Sequence, residues 1–248
     1  MTTTPLSVQL YTVREAFAAD PASALQRLSS IGFTTVELYG FVDRVSDFAD
    51  LLPKFGLAPS SAHASIIGTD VVPVFEAANA LGITTVIDPM VDPERWTTSD
   101  GVVAIADEVN AVAAIAADAG ITVGYHNHRF ELESALDGTN AHEAFADNLD
   151  PAVILEVDTY WSAVGGVDPV GLLERLGDRV HFIHVKDGDI SRDNKNQVSV
   201  GGGRMPVLDI LAAAPNATRV VELDDYSGDV FTALEDSVRF LTGHGETL

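Results

Sequence analysis

Short runs of β-branched and other apolar residues alternate along the chain with longer stretches in which apolar residues recur every three or four positions. The short runs predict strands, and the longer stretches predict amphipathic helices. Eight runs have the strand pattern, and they begin at Leu6, Thr34, Ala58, Thr84, Ile121, Ala152, Arg179 and Thr218. Helical stretches lie between them, for example from Asp20, Val71 and Asp100. Eight strand and helix pairs in 248 residues predict one (β/α)8 TIM barrel, a single domain that spans residues 1–248.

A doubly wound open sheet is the alternative α/β fold. It would place a glycine-rich dinucleotide-binding turn directly after the first strand, but "VQLYTVRE" contains no glycine. The glycine run "VGGGR" follows the seventh strand instead, which predicts a loop at the mouth of a barrel. The polar segment "GDISRDNKNQVSVGGGR" that contains this run predicts a flexible lid. The pattern therefore favours the barrel.

The alternation within each strand separates two faces, one towards the barrel interior and one towards the helices. In "RVHFIHVKD", His184 and Lys186 share a face, and His181 lies on the opposite one. Polar residues among apolar neighbours are costly to bury unless they are paired or coordinated. They occur on most of the predicted strands and thus predict a common polar centre, made from Gln9, Glu37, His63, His126, His128, Glu156, Asp158, His184, Lys186, Glu222 and Asp224.

Three of these residues lie at equivalent positions near the ends of consecutive strands: Asp158, His184 and Glu222. Oxygen and nitrogen donors at such positions predict a site for a divalent metal ion. Glu37 and Glu156 lie deeper in their strands, and we expect hydrogen bonding from them rather than coordination. Because the sequence contains no cysteine, His, Asp and Glu must provide any metal ligands.

The composition excludes several classes of function. With 37 acidic and 14 basic residues the formal charge is −23, which disfavours binding to nucleic acid. No apolar run approaches the roughly 20 residues needed to cross a bilayer, and the start "MTTTPLSVQ" lacks the pattern of a secretory signal. We therefore expect a cytoplasmic protein that does not bind membranes.

The motifs and their order resemble the sugar phosphate isomerase/epimerase superfamily of xylose isomerase-like barrels. The resemblance is carried by "GFTTVELYG", "YHNHRFE", "EVDTYWSAVGGVDP", "HFIHVKDGD" and "VVELDDY". It implies an enzyme that acts on a small carbohydrate, that binds one divalent ion (Mn, Co, Mg or Zn), and that forms homodimers or homotetramers. It also implies Asp158, His184 and Glu222 as ligands of that ion.

The fifth strand departs from the epimerase pattern. Where these epimerases resemble "LEPLNR", with a metal-binding glutamate three residues before the asparagine, this chain has Gly124 before Asn127. The segment "YHNH" resembles instead the histidine-rich segment of inosose dehydratases. We expect His126 to be the fourth ligand and His128 to be an acid or a substrate contact, but strand alternation alone does not divide these roles between them.

Further site residues follow from the same comparison of motifs. Glu131 matches a substrate-contacting glutamate of the epimerases if one inserted residue is allowed. Trp161 stands where the epimerases have a histidine, and its flat ring suits stacking on a sugar. Lys186 is expected to bind a substrate oxygen or to stabilise an enediolate, and Arg204 could do the same from the loop after the glycine run. The expected substrate-binding residues are Gln9, His63, Glu131, Trp161 and Arg204.

The missing glutamate bears on the reaction. An epimerase commonly uses two opposed carboxylates, whereas this chain retains one obvious carboxylate base, Glu222. Glu222 as base and His128 as acid would suit dehydration, a β-elimination from a keto sugar or keto inositol through an enediolate that the metal stabilises. Two alternatives remain: a sugar or sugar phosphate isomerase or epimerase, and a carbohydrate-binding barrel without catalytic activity.

Overall fold

The computed structural model describes residues 5–248, which form a closed barrel of eight parallel strands surrounded by helices. Each strand pairs with its neighbours in chain order, and the first strand closes the barrel against the last. The strands are β1 Ser7–Gln9, β2 Thr35–Tyr39, β3 Ala58–His63, β4 Thr85–Asp88, β5 Thr122–His126, β6 Ile154–Asp158, β7 Val180–Val185 and β8 Thr218–Val221. The predicted TIM barrel fold is confirmed, since each predicted strand run contains one barrel strand.

Helices follow every strand. They are α1 Arg14–Ala19, α2 Pro21–Ile31, α3 Val45–Lys54, α4 Val72–Ala80, α5 Ser99–Asp118, α6 Phe130–Glu133, α7 Ala141–Asn148, α8 Thr159–Val164, α9 Pro169–Leu176, α10 Val207–Ala213 and α11 Val230–Gly243. The sequence encodes several of their starts through acidic caps; for example, the Asp20 carboxylate accepts the Ser23 N–H at the beginning of α2. No helix in the described part of the chain is long and apolar enough to cross a membrane.

The first strand is shorter than the run that predicts it. It ends at Gln9 because a 3-10 helix, Leu10–Val13, begins directly after it. The side-chain oxygen of Gln9 accepts the Tyr11 N–H and so caps that helix. The same side chain remains inside the barrel, where its amide N–H donates to Glu37.

The barrel interior has an apolar floor and a polar upper layer. The floor is a separate buried cluster of four residues, Ile87, Ile154, Phe182 and Val220. Two residues further along β6 and β7 lie Glu156 and His184, both fully buried. On the outer face of β7, Ile183 and Val185 join the large core beneath the helices, whereas His181 is exposed. The predicted alternation of strand faces is therefore confirmed. Inside the barrel, these polar side chains lie nearer the carboxyl ends of the strands than the apolar floor does.

The loop after β7 is fixed at its base. Asp187 is buried, and its carboxylate accepts four backbone N–H groups, from Gly188, Gly201, Gly203 and Met205, at 2.8 to 3.0 Å. A side chain at Gly203 would place its Cβ 2.2 Å from an Asp187 oxygen, so the glycine run allows this close approach. The predicted mobile lid is thus anchored by one aspartate.

Candidate active site

A cavity of about 650 Å³ opens at the carboxyl ends of the strands. Its walls are largely aromatic and apolar, with Tyr11, Tyr39, Phe41, Met90 and Trp161 among them. Its floor carries titratable side chains: His63, His126, His128, Glu222 and Asp224. A predominantly apolar cavity with a few convergent polar groups is the usual form of a small-molecule site.

One group of side chains in and beneath this floor, here called the histidine group, consists of His63, His126, Glu156 and His184. One nitrogen or oxygen atom from each lies within 4.8 Å of all the others. Glu156 Oε2 is central, at 2.6 Å from His63 Nε2, 3.0 Å from His126 Nδ1 and 3.2 Å from His184 Nε2. Strands β3, β5, β6 and β7 each contribute one member, so the group spans half of the barrel.

A second group, here called the carboxylate group, consists of Asp158, Glu222 and Asp224 around Lys186. The Lys186 ammonium lies 2.8 Å from Asp158 Oδ2, 2.6 Å from Glu222 Oε2 and 2.9 Å from Asp224 Oδ2. Lys186 is only 1% exposed. Burial alone lowers the pKa of this lysine, but the three carboxylates outweigh it and raise the pKa well above the usual value. The side chain is therefore a permanent internal cation.

His184 connects the two groups through its two ring nitrogens. Nε2 faces the histidine group and lies 2.8 Å from Glu37 Oε1, whereas Nδ1 lies 2.6 Å from Glu222 Oε2. Asp158, His184 and Glu222 also bring one ligand atom each within 4.8 Å of one another. Of the four ligands expected from the sequence, three are therefore together, and the fourth, His126, belongs to the histidine group, with its Nε2 3.9 Å from Asp158.

The carboxylates outnumber the permanent cations in this centre. Five carboxylates face one lysine and the imidazoles, and these carboxylates are Glu37, Glu156, Asp158, Glu222 and Asp224. Burial raises the pKa of Asp158 to about 6, even beside Lys186. Burial also opposes ionisation of Glu222, but Lys186 and His184 lower its pKa below the usual value. A divalent cation would offset the excess negative charge, so the donor types and the charge of the centre fit such an ion.

Gly124 explains why β5 lacks a carboxylate at the expected position. A Cβ added there would lie 2.8 Å from Ile154 Cγ1 and 2.9 Å from the Ile154 carbonyl oxygen. Real Cβ atoms do not approach other atoms so closely, and Ile154 belongs to the barrel floor. A glutamate at position 124 would therefore require Ile154 or its backbone to shift, and the donor on this strand comes from higher up, at His126.

His128 lies at the edge of the cavity, and a buried glutamate holds it in place. Its backbone N–H donates to Glu131 Oε2 at 2.9 Å, and the Tyr125 hydroxyl donates to Glu131 Oε1 at 2.8 Å. Burial raises the pKa of Glu131 to about 8. Burial and the nearby Lys186 lower the pKa of His128 to about 4, so its ring is neutral at pH 7.

The five expected substrate contacts lie in different surroundings. His63 and Trp161 line the cavity. Gln9 and Glu131 are completely buried and do not line the cavity. Their contact with the site is by hydrogen bonds, from the Gln9 amide to Glu37 and from the His128 backbone N–H to Glu131. Arg204 is exposed and reaches the Asp189 carbonyl oxygen at 3.5 Å.

Two aspartates contribute to the site although the sequence assigns neither of them a ligand, catalytic or substrate-binding role. Asp224 lines the cavity, binds Lys186 and accepts a hydrogen bond from the Gln197 amide at 2.6 Å. It shares a strand face with Glu222, and this alternation is the signal that could have assigned it. Asp187 follows Lys186 directly in "HVKDGD", but no local pattern indicates that its carboxylate holds the distant glycine run.

Comparisons with known proteins agree with this architecture. The inosose dehydratase of Geobacillus kaustophilus is 30% identical over 105 residues, which cover 40% of this chain and 33% of that protein. The alignment therefore spans about a third of the length of the curated relative. A crystal structure of a sugar phosphate isomerase/epimerase from Parabacteroides distasonis superposes with a TM-score of 0.84 at 25% identity, covering 99% of this chain and 96% of that one.

A probable 3-DHS dehydratase from Bacillus anthracis has the same fold. Its TM-score is 0.73 at 13% identity, and the superposition covers 96% of this chain. Residues 25–242 match the family described as "Xylose isomerase-like TIM barrel". The chain therefore belongs to the xylose isomerase-like TIM barrel family.

Proposed function

We propose that this protein is a divalent-metal-dependent lyase that dehydrates a keto sugar or keto inositol by β-elimination. The observation that carries the proposal is the cavity floor, which His128 shares with Glu222 and Asp224, the two carboxylates that hold the buried Lys186 ammonium. Such a floor offers a proton acceptor next to a fixed positive charge, which is what removal of a proton beside a carbonyl requires. The similarity to an inosose dehydratase supports the same class of substrate.

The metal ion would be held beside His184, which belongs to the histidine group and also lies near Asp158 and Glu222. When bound, a divalent ion polarises the substrate carbonyl and stabilises the negative charge that develops on its oxygen. Lys186 adds a second positive charge within the same centre, and three carboxylates hold its ammonium in place. The aromatic wall that includes Trp161 would exclude water and orient the ring of the substrate.

The hydrogen bonding of the two side chains favours a particular division of roles between His128 and Glu222. Glu222 Oε2 lies 2.6 Å from both Lys186 and His184, whereas Nδ1 of His128 is buried and has no hydrogen-bond partner among residues 5–248. His128 is neutral at pH 7 and can accept the carbon-bound proton. Glu222 and Asp224 then stabilise the resulting imidazolium, since both favour its charged form.

The same proton can complete the elimination. As the carbon–carbon double bond forms, the carbon–oxygen bond breaks, and His128 returns its proton to the departing oxygen, which leaves as water. The His128 ring ends neutral, so no external acid is consumed. This assignment makes His128 the base as well as the acid, and it gives Glu222 an electrostatic role.

The test is incubation of the metal-loaded protein with keto inositols and ketoses in D2O, followed by mass spectrometry. A dehydratase yields a product lighter by one water. An isomerase or epimerase, the second candidate because the similar Parabacteroides structure carries that description, yields a product that has lost no water and that carries deuterium at carbon. A carbohydrate-binding barrel would show neither change. His128→Gln should abolish both, and Trp161→Phe should mainly raise KM.

The cellular setting and assembly belong to the same proposal. We place the protein in the cytoplasm, acting on a small carbohydrate and not on nucleic acid, in keeping with its formal charge of −23. Assembly into homodimers or homotetramers stays a prediction from the resemblance, which light scattering of the purified protein would test.

A further inference from the structure

The four expected metal ligands do not form one group, and this disagreement points to a different site. We propose that the divalent ion is held by the histidine group, His63, His126, Glu156 and His184, while Lys186 serves as the cation of the carboxylate group. The inference rests on the metal dependence in the proposed function, but it concerns the place of the ion and can be tested without measuring activity.

The spacing of the donor atoms suits a single ion. Zinc-type bonds to imidazole and carboxylate are about 2.0 to 2.2 Å long, so tetrahedral ligand atoms lie roughly 3.3 Å apart. Glu156 Oε2 is 2.6, 3.0 and 3.2 Å from the three imidazole nitrogens. Opening these contacts to that spacing, by about 0.7 Å for His63 and by less for the other two, would admit an ion at the centre of the group.

Hydrogen bonds alone do not satisfy all the donors and acceptors of the histidine group. Three imidazole nitrogens converge on Glu156 Oε2, and each would need its own hydrogen to bond there. Meanwhile the other oxygen of the same carboxylate, Glu156 Oε1, is buried and has no hydrogen-bond partner among residues 5–248. One cation would accept lone pairs from all three nitrogens and from the carboxylate. The three nitrogens would then no longer compete for one oxygen, and the carboxylate would gain a bonding partner.

Residues behind the histidine group support it as a metal site. When His184 binds an ion through Nε2, its Nδ1–H is free to donate to Glu222 at 2.6 Å, and ligating histidines commonly have a carboxylate in this position. Glu37 lies beside His63 and His184 and is itself fixed by hydrogen bonds from Gln9 and Ser61. The ligands are thus oriented before an ion arrives.

The carboxylate group already contains a cation. An ion bound to both Asp158 Oδ2 and Glu222 Oε2 would share these atoms with the Lys186 ammonium, which lies 2.8 and 2.6 Å from them. Two positive centres at that separation repel strongly in a buried site. The position that β5 would fill with a fourth carboxylate is closed by the contact between Gly124 and Ile154.

The histidine group also has an open side. His63 and His126 line the cavity, whereas Glu156 and His184 are fully buried below it. Protein ligands on one side and a cavity on the other would let substrate add as a fifth ligand, an expansion that catalytic zinc sites undergo. Three imidazoles and one carboxylate favour zinc or cobalt over magnesium.

The experiment compares two matched variants on the same strand. Glu156→Gln and Asp158→Asn each replace a fully buried carboxylate of β6 by its amide, on the same face and two residues apart. The full-length protein is stripped with a chelator and titrated with Co2+ by calorimetry. We expect Glu156→Gln to weaken binding on the order of 100-fold or more and Asp158→Asn to change it by less than roughly 10-fold.

Two further variants and a spectroscopic measurement test the proposal even if Glu156→Gln fails to fold. His63→Ala lies at the cavity edge and should weaken Co2+ binding as Glu156→Gln does, whereas Lys186→Met should leave the affinity within roughly 10-fold of the wild type. X-ray absorption of the cobalt-loaded wild type should show three imidazoles around the metal.

The outcomes separate the site from the reaction. Loss of binding in Asp158→Asn with retention in Glu156→Gln, or a tighter affinity in Lys186→Met, would place the ion in the carboxylate group and overturn this proposal. A wild type that binds no Co2+ or Zn2+ would overturn it together with the proposed function. A histidine-bound metal in a protein that neither dehydrates nor isomerises keto sugars would uphold the site and refute the function alone.

Discussion

Glu131 offers a direct test of how burial controls protonation in this protein. Its side chain is fully buried, and burial raises the pKa of the carboxyl from 4.5 to about 8. The ionised carboxylate accepts a hydrogen bond from the Tyr125 hydroxyl. In the protonated form this bond can reverse, with the carboxyl O–H donating to the Tyr125 hydroxyl oxygen, while the other carboxyl oxygen accepts the His128 N–H. Glutamine has the same shape and the same pattern of one donor and one acceptor, so Glu131→Gln should reproduce the protonated state at every pH.

The sign of the effect follows from linkage. Because the pKa of Glu131 is higher in the folded than in the unfolded chain, its contribution to stability is complete below about pH 4.5 and is lost as pH rises to about 8. A shift of this size corresponds to roughly 4 to 5 kcal/mol. The Glu131→Gln variant has no such loss, since an amide does not titrate in this range.

The assay is urea unfolding of wild type and Glu131→Gln at about pH 5 and about pH 8.5. The two proteins should differ by less than about 1 kcal/mol at the lower pH, and the variant should be more stable by about 4 kcal/mol at the higher pH. Glu133→Gln, in the same short helix, controls for the loss of one negative charge, because Glu133 forms surface ion pairs with Arg129 and Arg192. A variant that is equally or less stable than wild type at the higher pH would refute the reasoning.

Three further outcomes can be measured on the same protein. Asp187→Ala should lower the free energy of unfolding by about 3 kcal/mol, because four backbone N–H groups lose their acceptor; urea unfolding checks this. Gly124→Ala should cost roughly 1 to 3 kcal/mol through its contact with Ile154, and an unchanged stability would contradict the crowding described for β5. For the α-proton exchange in D2O, kcat/KM should stay level from about pH 7 down to about pH 5, since the pKa of His128 is about 4; an inflection near pH 6.5 would contradict the assignment of this base.

The barrel can be predicted from the sequence because its signals are local. Strand alternation depends only on neighbouring residues, and it correctly divides His184 from His181 and Glu156 from Leu155. Acidic caps such as Asp20 and glycines after helices are equally local. These features specify the fold class and the end of the barrel that carries polar side chains.

Which side chains contact one another is harder to predict. It depends on how far along its strand each residue lies, as well as on the strand face that it occupies. The pairing of β6 with β7 shifts register between Leu155 and Glu156, so Glu156 lies beside Phe182 and Asp158 beside His184. Alternation identifies the face of each residue but gives no account of such offsets between strands. The turn of Glu131 away from the cavity also depends on Tyr125, whose hydroxyl donates to it.

Lys186 illustrates how one long side chain can change the chemistry of a cluster of acids. The sequence makes it a candidate for contact with substrate, but in the structure its ammonium lies among Asp158, Glu222 and Asp224. A covalently attached cation balances these acids whether or not a metal is present, so the barrel does not need an ion to keep them together. If the ion binds where the imidazoles converge on Glu156, as proposed, Lys186 holds the acids together and the ion activates the substrate, so the two roles are separate.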